Sequence, residues 1–461
     1  MNKGLSSKSN TNRSLIFEAS PWRAIASLSI PSLISILVMM LYNMADMYFV
    51  GWMNDVSQVA AVSLAMPVFT SMMAISTMIG NGGCTLIAQS LGKDDKEQVR
   101  VYTALCFWSS IIFGLILTVA IFVFRGPLLQ FLGTNEETLQ YTGSYVLFLA
   151  AGAPAILLNH SLGSMFRGEG LVKVGLLGHM ISTISNIILD PIFILVLKLG
   201  VAGAAIATVL GNVLAIVYFL AYLFTHKETC ILEMHPGYAR DLRGLIDILA
   251  LGLPNAISSL LSGFAGTFSN RLLVTYGTAA VAAMAAASKG TMVITMVQMG
   301  ICMGVQPLMA YCYGGQNWER LKAIVLRVLI LTISLGTGLT GLIYLLRGSV
   351  IGLFIHDPEV VQLGTTFLTY MLILCPFIGI YYLSSNFLQA SGNALGASIA
   401  SALRQGILLI PLLYIMNNLM GMFGLAASHR VADFFAIVIT AGMALHYYHH
   451  ITNTQLQSSS C

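Results

Sequence analysis

The sequence predicts an all-α integral membrane protein in which twelve spans form two pseudo-symmetric six-helix bundles. Three observations carry this. Hydrophobic residues make up 57% of the 461-residue chain and charged residues 9%, against roughly 25% charged in soluble domains, so the chain cannot cover a water-facing surface. Apolar runs long enough to cross a bilayer, at about 20 residues each, recur along its whole length. The first half is echoed in the second at an offset of about 222 residues: Ile30-Pro31-Ser32 by Leu253-Pro254-Asn255, Ala88-Gln89-Ser90-Leu91-Gly92 by Ala310-Tyr311-Cys312-Tyr313-Gly314, Arg125-Gly126 by Arg347-Gly348, and Pro154 by Pro376. In so apolar a chain, two similar halves mean two helical bundles with a cavity at their junction.

Residues 1–22 form a polar N-terminal tail with no short apolar core followed by a cleavage site, so no cleaved signal peptide is expected. The first bundle occupies residues 23–225, with spans near 27–50, 57–80, 101–124, 138–160, 174–197 and 203–225. Residues 226–243, with Pro236-Gly237 and mixed charges, read as the linker. The second bundle, residues 244–450, has spans near 245–272, 279–311, 323–346, 361–387, 398–417 and 424–447, and residues 451–461 are a polar tail. Lysines and arginines set the orientation. With both termini inside, the cytoplasmic segments hold Lys93, Lys96, Arg100, Arg167, Lys173, Lys227, Arg240, Arg243, Arg320 and Lys322, and the outer loops mainly Arg125, Lys198 and Arg347. The net charge of +4 is this same bias and does not point to nucleic acid. The seven cysteines include no CxxC pair and fall mostly in apolar spans, so neither a disulfide framework nor a metal site is expected.

Charges inside the spans mark the mechanism, because each costs a few kcal/mol in hydrocarbon and needs a partner or a water-filled cavity. Asp46 lies in the first span, and Asp190 in the fifth, within Asn186-Ile187-Ile188-Leu189-Asp190-Pro191. At about 1.5 Å rise per residue, Asp190 sits roughly 12 Å below the outer end of its span and Asn186 one turn deeper on the same face. Thr208 in the sixth span and Tyr145 in the fourth come to a similar depth, roughly 8–10 Å below their outer ends. These groups share one outer-leaflet layer of the first bundle. Two carboxylates in a poorly solvated cavity do not both ionise cheaply. The plainer alternative puts Asp46 at the water interface beyond a shorter helix, with Asp190 merely supporting a kink at Pro191. Pro191 frees the carbonyl of Ile187, and Pro31 acts likewise on Ser27 in the first span.

The second bundle carries basic residues at Arg271, Lys289, Arg404 and Arg430, with Asp433 as the acidic partner inside a span. Asp433 is expected to neutralise Arg271 or Lys289, either bracing the seventh, eighth and twelfth spans or forming a gate. A substrate cavity lined by flexible, polarizable side chains suits varied apolar shapes. Met72, Met292, Tyr42, Asn43 and Gln298 are the candidates for that lining, with aromatic rings able to hold a flat cation.

The twelve spans in two repeats, the Asn-x-x-Asp-x-x-x-Val-Gly pattern of Asn43, Asp46, Val50 and Gly51, the Asn-x-x-x-Asp-Pro pattern of Asn186, Asp190 and Pro191, and the turn from Gln89 to Gly92 resemble the multidrug and toxic compound extrusion (MATE) family. Their spacing is similar to that of its branch of MepA-like and DinF-like efflux pumps, over residues 20–450. The resemblance implies a MATE-type fold and a cation-coupling site at Asp46, Asp190, Asn186, Tyr145 and Thr208, with Tyr141, one turn from Tyr145, as an alternative. It implies that protonation bends the first span at Pro31. The other large bacterial branch relies on acidic residues in the seventh and tenth spans; here the tenth carries none and the seventh only Asp247 at its cytoplasmic start, so coupling through the second bundle is not expected.

The reading is therefore a secondary active multidrug efflux transporter, not an enzyme, in a bacterial cytoplasmic (inner) membrane, and a monomer. It would export organic cations or other amphipathic drugs in exchange for H+ or Na+, with no cofactor beyond the coupling ion. The alternative is a lipid-linked oligosaccharide or polyprenyl lipid flippase, for which Arg271, Lys289 and Arg404 would line a basic cavity. No HExxH, catalytic dyad or GxxxxGK phosphate loop is present in the sequence, so an ion gradient must drive transport. Arg167-Gly168-Glu169-Gly170 reads as a cytoplasmic turn with Glu169 offsetting its arginine neighbour. His446, His449 and His450 have the spacing of metal ligands but read as a membrane-interface belt.

Overall fold

The computed structural model describes residues 19–51, 56–227, 230–353 and 357–458, with the side chains of 39–51, 56, 195 and 453–458 outside that description. Every regular element among the described residues is helical. This is the form that closes all backbone hydrogen bonds within one segment, as hydrocarbon demands. The long elements are α1 (Pro21–Gly51), α2 (Val56–Gly92), α3 (Lys96–Val123), α4 (Glu136–Ala151), α5 (Ala153–Gly168), α6 (Val172–Pro191) and α7 (Gly200–Thr225). They continue with α8 (Leu242–Val274), α9 (Thr278–Gly314), α10 (Trp318–Leu345), α11 (Pro358–Leu372), α12 (Ile378–Ala390), α13 (Ala394–Ala402), α14 (Leu409–Met420) and α15 (Met422–Ser458). Among the described residues ten spans are long and apolar enough to cross a membrane, and counting each bent pair, α4–α5 and α11–α12, as one span brings the number to twelve.

The two bends are the same event repeated. Pro154 sits in the first turn of α5, and Pro376 in the single 3-10 turn that precedes α12. A proline there ends the preceding helix without loss at the new one, because a first-turn N–H has no intrahelical partner. The pairs bend by 51° and 41°. The turns repeat as well. Asp94 and Gln316 both take a left-handed backbone, with φ 57° and 53°. The next residues, Asp95 and Asn317, cap α3 and α10 by accepting from the N–H groups of Gln98 and Arg320 at 3.0 and 3.1 Å. Asn135 and Asp357 cap α4 and α11 in the same way. The duplication read in the residues is thus kept in the backbone.

By packing, the chain divides into two compact units that do not follow its order. One includes residues 34–256 and the other residues 19–33 together with 257 onward, so α1 and α8 each change unit two residues after Pro31 and Pro254. The crossings that create this exchange are built on glycine. In the first unit, the start of α8 lies so close to α2 that a Cβ on Gly82 would meet the carbonyl of Ile248 and one on Gly252 the carbonyl of Met78. In the second unit, Gly304 of α9 lies against the start of α1, 2.8 Å from the Leu28 carbonyl to an added Cβ. There Ser29 Oγ reaches the carbonyl of Ile301.

Each unit has its own apolar interior. Met72, Tyr145, Leu149, Ile156, Leu157 and Ala204 meet in the first, and Ala287, Ile294, Phe367, Leu372, Ile378 and Leu413 in the second. The linker is strapped to the first unit. Trp108 Nε1 donates to the Met234 carbonyl at 3.0 Å, and Thr103 Oγ1 exchanges bonds with the backbone of Glu233 at 3.1 Å.

Because backbone, not a movable side chain, faces Gly82 and Gly252, any side chain there must separate two helices. Gly252→Leu is expected to lower stability by about 1–3 kcal/mol or more, read as an earlier loss of the monodisperse peak when detergent-solubilised protein is heated. Gly338→Leu, where an added Cβ meets nothing within 4 Å, should leave the peak unchanged.

Candidate functional site

The site grows out of the end of α6. Pro191 removes the N–H that would continue the helix, and the chain passes into a π-helical turn, Ile192–Val196, before α7 begins. π turns inside helices mark places where the backbone is fitted to a function. Immediately before this break Asp190 is fully buried, and Asn186, one turn earlier, is 3% exposed. The four-residue spacing puts both on one face. Across from them, Gly211 of α7 lets the helices close up, since a Cβ there would stand 2.7 Å from the Ser182 carbonyl. Thr208, one turn earlier on α7, is thereby pressed against Asn186.

The Asn186 amide joins the two. With its NH2 toward the carboxylate, Nδ2 donates to Asp190 Oδ2 at 2.9 Å, and Oδ1 accepts from Thr208 Oγ1 and N at 3.1 and 3.0 Å. With the amide reversed, Nδ2 donates to Thr208 Oγ1 at 3.1 Å, and that hydroxyl donates to the Ala204 carbonyl at 3.0 Å. The reversed form puts the amide oxygen against Asp190 Oδ2, a contact that is a hydrogen bond only if the carboxyl carries a proton. The reversed form also sets Nδ2 against the Thr208 N–H at 3.0 Å, donor against donor, so the first orientation is the one its surroundings satisfy.

The polar line continues deeper than the sequence indicated. Asn212, one turn past Thr208, donates Nδ2 to the Thr208 carbonyl at 2.7 Å, and its Oδ1 accepts from Asn159 Nδ2 of α5, also at 2.7 Å. Both side chains are buried, Asn159 at 1% and Asn212 at 7% exposed. A signal was present in the chain. Asn212 repeats the four-residue step from Thr208 that Asp190 makes from Asn186, and a buried amide in an apolar span needs a partner.

Other expected residues fall as follows. Tyr145 is buried in the apolar cluster with Met72, Ile194 and Ala204, and Tyr141 packs at its edge. Asp46 lies within α1, which runs on to Gly51, so it is not beyond a shorter helix. The side chains of Asp46, Asn43 and Tyr42 lie outside the described residues. Met72 is fully buried, a packing residue and not a lining one. Gln298 is corrected in the same way. It is fully buried, and its Nε2 donates at 2.8 Å to the Cys375 carbonyl at the break before Pro376. It fills the bend of the tenth span. Met292 is half-buried.

The second-unit charges are also corrected. Asp433 pairs with Arg404 through Nε at 2.7 Å and with Arg430 through Nη1 at 3.1 Å, and not with Arg271 or Lys289, whose side chains are exposed. The reason is local. Arg430 precedes Asp433 by one helical turn on α15, and Arg404 is swung toward it by a π turn, Leu403–Ile407. At the α5–α6 turn, buried Glu169 accepts from the Ile231 N–H at 2.7 Å and the Cys230 thiol at 2.9 Å. Its neighbour Arg167 donates to Ser164 and Asn81 instead.

Comparison with known proteins agrees with this architecture. The family model MatE matches residues 31–192 and 254–415, two segments of equal length that begin at Pro31 and Pro254. The chain is 30% identical to the multidrug export protein MepA of Staphylococcus saprophyticus over 93% of its length and 94% of that protein. It is 31% identical to MepA of Staphylococcus haemolyticus over 90% of its length and 91% of that protein. Among solved structures, it superposes with a TM-score of 0.89 and 25% identity on a multidrug resistance MATE family transporter of the MOP superfamily in the outward-facing conformation, covering 98% of this chain and 99% of that one. A MOP superfamily transporter from Pyrococcus furiosus, described as having reverse polarity in its binding pocket, gives 0.87 at 25% identity, covering 98% and 99%. With its repeats, its twelve apolar rods and these relatives over nearly its whole length, the chain belongs to the MATE multidrug efflux transporter family of multi-pass membrane proteins.

Proposed function

We propose that this protein exports organic cations and other amphipathic drugs across a bacterial cytoplasmic membrane in exchange for protons, as a monomer with both termini in the cytoplasm. The observation that carries the proposal is Asp190, fully buried and joined through the Asn186 amide to Thr208. A proton arriving at Asp190 removes the charge that the Asn186 NH2 faces, and so changes how α6 and α7 are joined. Ion and drug must differ in affinity for the two states of the transporter, and a cation competing with a cationic drug for the carboxylates of Asp190 and Asp46 supplies that difference. One charge moving down 100 mV gives about 2.3 kcal/mol. Sodium is the second coupling ion in view, since carboxylate, amide and hydroxyl oxygens also suit a hard cation.

The flippase reading rests on exposed Arg271 and Lys289. It loses Arg404, whose charge is engaged by Asp433.

In proteoliposomes loaded with a fluorescent organic cation, an imposed pH gradient is expected to drive efflux, and Asp190→Asn or Asp46→Asn to abolish it without loss of membrane insertion. Efflux under a sodium gradient alone would change the ion and keep the site. Full efflux by Asp190→Asn would refute the assignment, and no wild-type efflux under either gradient would favour the flippase. Removing Asn212 leaves the Asn159 amide without its acceptor, at a cost of about 1–3 kcal/mol. Asn212→Ala is therefore expected to lower the melting temperature, and Asn159→Ala on top of it to add little more.

A further inference from the structure

The charges buried in the second unit do not cancel. Arg404, Arg430 and Asp433 are 12%, 10% and 6% exposed at their side chains. An arginine does not lose its proton in a protein, so two cations face one carboxylate and a unit of positive charge remains inside an apolar bundle. The titratable groups packed around it are His429 on α15, Tyr381 and Tyr382 on α12, and Cys375 at the start of the break before α12. None of them is an anion in its ordinary state near neutral pH.

Two buried groups of the cluster lack a hydrogen bond. Arg430 Nη1 donates to the Cys375 sulfur at 3.5 Å and lies 3.1 Å from Asp433 Oδ2 as an ion pair, and Oδ2 itself accepts no hydrogen bond. Arg430 Nε is buried with no partner, and its Nη2 makes no hydrogen bond among the described residues, so the Nε–Nη2 edge is unpaired. That edge is the flat fork that matches an oxyanion bidentately. Arg404 is held in place beside it by Asp433, by Tyr382 Oη at 3.2 Å, and by the rings of Tyr381 and Tyr382, 4.8 and 5.2 Å from its guanidinium carbon. Tyr382 and Arg404 are only partly covered, which marks the open side of the cluster.

We propose that this cluster is a binding site for one singly charged oxyanion, a carboxylate or a phosphate ester, held by the free edge of Arg430 with Arg404 beside it. The duplicated halves have thus taken opposite signs. The fifth span carries an acid before its π turn, and the eleventh carries an arginine within its own.

The test uses the full chain in phosphatidylcholine nanodiscs, titrated with 11-(dansylamino)undecanoic acid and with its uncharged primary amide, each corrected against empty nanodiscs. The acid is expected to bind at least tenfold more tightly than the amide, a comparison that needs no mutant. Arg430→Gln, which brings the cluster to zero charge, is expected to remove that preference while keeping the size-exclusion profile. Replacing the lipid by phosphatidylglycerol separates the two sources. If the probe is displaced, a lipid phosphate occupies the fork; if it is retained, the fork selects a solute carboxylate. Equal affinity for acid and amide in the wild type, or a preference that persists in Arg430→Gln, would overturn the proposal.

Discussion

A bilayer offers no water to a backbone, and every spanning segment must therefore close its own hydrogen bonds as a helix. Side-chain polar groups inherit the same constraint. A carboxylate, amide or guanidinium within a span is met by another residue, by a cavity, or by something the protein binds. The arrangement of both units follows from how these needs are distributed. Apolar faces fill the two cores, glycines allow α2 and α9 to be crossed at contact distance, and the buried acids Asp190 and Asp433 each gather polar partners around them.

The two clusters solve the problem differently. In the first unit, Asp190 is joined to neutral partners, Asn186 and Thr208, and beyond them to Asn212 and Asn159. The Asn186 NH2 faces the carboxylate and its oxygen faces Thr208. In the second unit, Asp433 is clamped by two guanidinium groups, an arrangement that leaves positive charge over. A duplicated fold thus carries a buried acid among neutral partners in one half and a surplus of buried positive charge in the other.

Much of this was legible in the residues. The twelve apolar runs, the repeat, the paired prolines at 154 and 376 and the neighbourhood of Asp190, Asn186 and Thr208 can all be read from spacing, because helical rise and periodicity are local properties of a chain. Which residues share the turn at Asp94 and Gln316 could be matched by offset, though the left-handed backbone there could not.

What spacing does not contain is which helix lies against which. Met72 and Gln298 sit at positions that a lining residue would also occupy, and only packing shows that both are sealed inside. Asp433 had four basic residues to choose from, and the choice of Arg404 and Arg430 depended on a π turn that re-aims one side chain by contact, not by sequence distance. The exchange of α1 and α8 between units, two residues past each proline, likewise exists only once helices cross. The sequence by itself determined the solvent, the number of spans and the four-residue pairing of Asp190 with Asn186, since these depend on hydropathy and periodicity along one chain. The tertiary structure alone decided the partners of each buried charge, since a charge in low dielectric is governed by what lies within a few ångströms, whatever its place in the sequence.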